Sequence, residues 1–236
     1  ASILGMGATV GAEVRVSFSD TDFAGHRLNN PDTIGNAYMV LHGVPQGSWV
    51  KLAHWLQPIT TAREERNRRQ VEELNRIVGP VLGPIDYDRD VRPLSWVDRG
   101  GSVTERHIMY ALARRVTETE PDPADALQLI TDKLEIPVAE RVRSRLIDLE
   151  NPHRLYDMLG VFKSELVPRI FQQPTGDECP PVQAVTGLAQ ELGAIPAYAY
   201  LGDVGESPTG DKKAQAFEDA YLDQLFPKLA ELGYQA

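Results

Sequence analysis

Cysteine is nearly absent from this chain: Cys179 is the only one in 236 residues. One thiol can build neither an internal disulfide nor a thiolate zinc cage. Any metal site must therefore use His, Asp and Glu, which suit hard or borderline ions. The same scarcity fits a reducing, cytoplasmic setting. Long apolar runs are also missing. None approaches the roughly 18 residues that cross a bilayer, so no membrane partner is expected. The opening ASILGMGATVG has no basic region ahead of an apolar one, so no signal peptide is visible. Positive charge is in the minority, with 24 Lys and Arg against 34 Asp and Glu and a formal net charge of −10. A chain this acidic repels a phosphate backbone. Its one Arg-rich stretch, Arg63, Arg66, Arg68 and Arg69, is interleaved with Glu64, Glu65, Glu72 and Glu73. Mixed signs at this spacing describe a self-paired, solvated helix face, so no nucleic-acid partner is expected. There is no GxGxxG, no P-loop, no GxSxG and no CxxC, which removes most support for nucleotide cofactors and serine-hydrolase chemistry.

What is present is ordinary globular material, 42% apolar and 25% charged. One small pattern recurs in ILGMGATVGAEVRV (3–16), ELGAIPAYAYLGD (191–203) and ELGYQA (231–236). Each places Leu-Gly after a helix-like segment and before a strand-like run. Glycine past a helix end takes the left-handed conformation that other residues avoid, and the chain then enters a strand. This is the αβ half of a βαβ unit and argues for parallel strands. The first copy starts with its helix already ending and the third stops as its strand should begin. The pattern thus predicts a larger α/β array cut at both ends. Frayed terminal helices are the bland alternative.

The middle differs. Residues 62–78 carry Val71, Leu74 and Val78 on one helical face, and residues 104–116 carry Ile108, Ala111, Leu112 and Val116 behind a Thr104 N-cap. Helices are also expected over 123–135 and 138–149. The division is therefore 1–61 and 171–236 as α/β segments, with a largely helical insert over 62–170.

Several residues are candidates for chemistry. Glu13 interrupts an apolar strand, where a carboxylate is costly to bury unless paired or bound to a cation. It reads as a metal ligand or general base, or as a strand-face acid paired with an arginine. His42 follows an apolar run beside Gly43 and reads as a ligand or as a structural histidine. Arg106 and His107 open a helix whose amides and dipole attract anions, so they could hold a phosphate or serve the helix alone. His54 reads as a helix-face residue, His26 and His153 as exposed loop residues. After the run Ile195–Leu201 comes a polar loop with Asp203, Glu206, Asp211, Lys212 and Lys213. In parallel α/β sheets the residues just after a strand line the site.

In this order the segments resemble the PHP family, named for polymerase and histidinol phosphatase, over nearly the whole chain. TVGAEVRV looks like that family's strand ending in Gly-x-Glu, and MVLHGVP like the strand that supplies a His. AREERNRRQVEELNRIVG is similar to its Arg-rich helix, and TERHIMYAL to its Arg-Pro-His-Ile segment. VQAVTGLAQELGAIPAYAYLGD resembles the helix and strand that end in Ala-His-Pro, and YLGDVGESPTGDKKAQ a loop shared by a subset of such proteins. The resemblance implies a partial, distorted (β/α)7 TIM-like barrel with a largely helical insert. It also implies metal-dependent hydrolysis of a small phosphorylated substrate, with manganese, iron or zinc. Glu13 and His42 would be metal ligands, Asp203 and Glu206 catalytic, and Arg106, His107 and Lys212 substrate-binding. The chain departs from the family pattern in five places. His-x-His and Asp-x-His are absent, Tyr200 stands where a metal-binding His is expected, and Arg-Pro-His has become Glu105-Arg106-His107. Met39 rather than His42 falls in the register of the fourth-strand ligand. These departures leave a second expectation open, a catalytically lapsed domain that binds a ligand or another protein. The sequence sets no oligomeric state.

Overall fold

The computed structural model describes residues 8–30, 33–203, 205 and 214–236. The chain divides into two compact units. One comprises Ala1–Ile59 with Pro174–Ala236, the other Thr60–Gln173. Among the described residues no helix is long and apolar enough to cross a membrane.

The first unit is built on strands β1 (Ala12–Ser17), β2 (Asn36–His42) and β3 (Ile195–Tyr198) in the order β1-β2-β3. Both pairings are antiparallel. Alternation along the strands decides which face is buried. Val14, Val16, Ala37, Met39 and Leu41 point into the core, while Glu13, Arg15, Tyr38, Val40 and His42 point the other way. The core is completed by helix α6 (Val182–Leu192), whose Val182, Val185, Leu188, Ala189 and Leu192 recur at helical spacing, and by Leu225 and Leu229 of α7 (Leu222–Glu231).

The expected barrel of parallel strands is not the architecture present. The chain is helix-rich, with 9% of it in strands, and those strands form one small antiparallel sheet. The reason lies between β1 and β2. A parallel pair needs a crossover of a dozen or more residues, usually helical. Here the connection contains no α-helix among the described residues and is tied shut at its base, with the Phe18 amide donating to the Gly35 carbonyl at 2.7 Å. Gly35 sits at φ +71, and a Cβ there would lie 2.5 Å from the Ala24 carbonyl oxygen, so only glycine permits this return. Asn29 then staples the connection. Its Nδ2 donates to the Tyr38 and Ala199 carbonyls at 2.8 and 3.0 Å, and its Oδ1 accepts from the Tyr38 amide.

Of the three Leu-Gly turns, the one at Leu4-Gly5 lies outside the described residues, and the other two form as their glycines require. Gly193 takes φ +70 after α6, and the Ala194 amide returns to the Ala189 carbonyl at 2.9 Å. Gly233 (φ +93) follows α7 in the same way, with the Tyr234 amide on the Leu229 carbonyl. Beyond it the Ala236 amide donates to the Pro196 carbonyl, and the Tyr198 amide donates to the Ala236 carbonyl. These two bonds flank Ala197 and make a single parallel pairing on the free edge of β3.

The second unit is helical. It holds the later part of α1 (Trp49–Leu82), then α2 (Glu105–Thr119), α3 (Pro123–Gln128), α4 (Glu140–Ile147) and α5 (Arg154–Ile170). Val71, Leu74 and Val78 of α1 share a core with Ile108, Leu112 and Val116 of α2 and Phe162, Leu166 and Ile170 of α5. Between α1 and α2 a turn over Tyr87–Val91 is capped by Asp86, whose carboxylate accepts from the Arg89 amide at 2.7 Å. Arginines spaced along this unit close onto acids within it: Arg68 on Asp88, Arg92 on Glu64 and Asp98, Arg115 on Asp90.

Candidate functional site

Glu13 and His42 lie on the same face of the sheet. Glu13 is paired with Val40 and through it with Ala197, while His42 is paired with Ile195. His42 is two residues beyond Val40, so it is the diagonal neighbour of Glu13, with Cα atoms on the order of 7–8 Å apart. Both side chains are exposed. Among the described residues Glu13 makes no ion pair, so the arginine partner that its position allowed is not there. Arg15 is one pair further along the same face. It is committed to Glu178 at 3.2 Å and to the Tyr38 hydroxyl at 3.1 Å. Met39, in the register of the expected histidine ligand, is fully buried on the opposite face and cannot join Glu13.

Asp203 is elsewhere in the first unit, at the exit of β3. One carboxylate oxygen accepts from the Phe217 amide at 2.7 Å. Around it the exit is dense with phenol–carboxylate contacts. The Tyr198 hydroxyl donates to Glu218, and the Tyr200 hydroxyl donates to Asp219. Glu218 is entirely buried, and its other oxygen accepts from the Leu201 and Gly202 amides at 2.9 and 3.3 Å. The Asn29 amide donates to the Tyr198 oxygen at 3.1 Å. Burial, followed by the bond to Glu218, pushes the Tyr198 phenol far up. The bond to Asp219 pushes Tyr200 up to about 12, and burial does the same for Tyr221. Tyr221 donates to the Arg27 carbonyl and stacks edge-on against His26, with centroids 4.8 Å apart. His26 is therefore half-buried in an aromatic contact and not the exposed loop residue its surroundings suggested. Glu206 and Lys212 lie outside the described residues.

Arg106 and His107 belong to the second unit. Arg106 is exposed. His107 Nδ1 accepts from the Thr104 amide at 3.0 Å, closing a capping box at the start of α2. Burial holds this imidazole below its ordinary range. The anion at the helix N-terminus is the chain's own Glu105. Burial works against its charge, but its own backbone amide and Arg66 at 3.1 Å outweigh that and lower its pKa.

The fold thus brings Glu13 and His42 together and sets Asp203 in a separate network. Among the described residues no group of three or more His, Cys, Asp or Glu is gathered as a metal cage. A shallow pocket of about 290 Å³ opens between Phe23, His26 and Lys228, and none of the sequence-derived site residues lines it. Sequence reasoning missed Glu218, Asn29 and Tyr198. Only the aromatic beside Glu218, Phe217, hinted that the acid is buried. No family model, curated protein or solved structure matches this chain.

Proposed function

We propose that the first unit supports metal-dependent hydrolysis of a phosphoester, with Glu13 and His42 holding a divalent cation on the open face of the sheet. The observation that carries this reading is their diagonal placement, both exposed, on adjacent strands. One carboxylate and one imidazole suit manganese, iron or zinc. They make a partial set, since catalytic zinc sites use three protein ligands. A cation bound there would supply an activated water and neutralise charge on the phosphoryl oxygens. Glu13 and His42 bind and orient. Arg15 lies on the same face but is locked to Glu178 and Tyr38, so it does not serve as the phosphate anchor. The PHP resemblance at Gly11-x-Glu13 supports the same chemistry, without the barrel. A cytoplasmic setting is proposed on the scarcity of cysteine.

A second reading, a ligand-binding or protein-interaction domain without catalysis, is favoured by one observation. Asp203, the acid best placed to replace the histidine that Tyr200 displaces, is engaged by the Phe217 amide, and Tyr200 is itself tied to Asp219. Elemental analysis for manganese, iron and zinc, with turnover of a generic phosphoester in the presence and absence of chelator, separates the two. Bound metal and chelator-sensitive turnover that both fall in Glu13→Ala support hydrolysis. A metal-free protein without turnover supports the second reading.

A further inference from the structure

We propose that the exit of β3 is held by a permanent clasp whose buried pin is Glu218. Two short stretches meet there, Tyr200–Asp203 and Phe217–Asp219. Three acids tie them, and each bond runs across the gap. Asp203 accepts from the Phe217 amide, Glu218 accepts from the Leu201 and Gly202 amides, and Asp219 accepts from the Tyr200 hydroxyl. Glu218 differs from its neighbours in having no exposure. A buried carboxylate is retained only where donors replace its water. Here the Tyr198 phenol and two backbone amides do so, and the phenol is itself fixed by the Asn29 amide. The clasp therefore reaches from the exit of β3 back to the connection between β1 and β2. Gly202 completes it. It sits at φ +70, the left-handed region that favours glycine, and a Cβ would sit 3.0 Å from the Tyr200 hydroxyl and 3.3 Å from Asp219. Glu218 is a positioning residue: it keeps Tyr200–Asp203 in one arrangement whatever those residues go on to bind. The inference does not depend on metal chemistry, and metal content is not its readout.

Amide hydrogen exchange on the whole chain tests it. In the wild type, the Leu201 and Gly202 amides should be protected nearly as well as those of Val14 and Met39 in the sheet. In Glu218→Gln, one acceptor oxygen becomes a donor, and exchange at Leu201, Gly202 and Phe217 should quicken by about tenfold or more while the sheet amides hold. Tyr198→Phe should do the same more weakly. Asp219→Asn should leave Leu201 and Gly202 unchanged. Wild-type exchange at these two amides as fast as in an unstructured peptide overturns the proposal, even if Glu218→Gln fails to fold. Equal exchange in wild type and Glu218→Gln also overturns it.

Discussion

Arg15 and Glu178 form a deep-lying ion pair of the first unit, with side-chain exposures of 14% and 1%. Arg15→Ala removes a counter-charge from a buried acid, so it should lower stability by about 3–5 kcal/mol in urea denaturation. A loss below about 1 kcal/mol would match an exposed pair and contradict this burial. The tyrosines give a second test at the same scale. Tyr200 and Tyr221 are raised from 10 to about 12. The unfolded chain therefore releases these protons first. The stability they contribute is full below pH 10 and is lost as pH rises from about 10 to about 12. Absorbance titration of the phenolates should show tyrosines ionising late, and unfolding midpoints should fall over the same interval. A single ionisation at the ordinary phenol value would contradict the network. Of these residues only Tyr200 and Asp203 stood out in the sequence. An acid after a strand is visible in a sequence, but whether its oxygens face a ligand or a backbone amide is settled by distant residues such as Phe217.

At the scale of elements, α2 depends on its start. His107 caps the Thr104 amide as a neutral ring, and burial keeps its pKa low. Its contribution is therefore present above the ordinary histidine value of 6.5 and is lost as pH falls below it. His107→Ala should cost about 1 kcal/mol, the usual worth of a cap, and should flatten that acid-side dependence in thermal unfolding. The turn over Tyr87–Val91 behaves likewise at lower pH. Arg89 holds the Asp90 carboxyl at about 2, so its contribution fades as pH drops from 3.8 toward 2. Asp90→Asn should remove this phase from an acid-unfolding curve. The helices were legible because their apolar residues recur at a period that propensity and packing both favour. Val71, Leu74, Val78, Ile108, Leu112 and Val116 are all buried. The direction of the strands was not legible from the Leu-Gly turns. Glu13, Arg15 and Ser17 alternating with Val14 and Val16 describe a sheet with one wet face. That pattern belongs to antiparallel sheets, since parallel strands are usually apolar on both faces. The turns at Gly193 and Gly233 are real, yet the closure at Phe18 and Gly35 decided the sheet.

For the molecule as a whole, each unit has its own core. The second unit is continuous in sequence, Thr60–Gln173, and all the residues of its core cluster come from within it. A fragment spanning 60–173 should fold alone as a cooperative helical domain, with a sigmoidal thermal transition followed by circular dichroism. A fragment that is unfolded, or that melts without cooperativity, would contradict its independence. The sequence divided the chain by where the strand signal fades, at about residues 62 and 170, and the compact units divide within α1 and just after α5. What the sequence could not show was that Glu13 and His42 are neighbours. Glu13 and His42 are far apart along the chain and become neighbours only through the β1–β2 register. The most direct measurement follows from that pairing. Manganese(II) added at substoichiometric amounts to isotope-labelled protein should broaden the amide resonances of Glu13, Val40 and His42 first, and Glu13→Ala should abolish the effect. Broadening centred elsewhere, or none at these residues, would contradict a metal site on this face of the sheet.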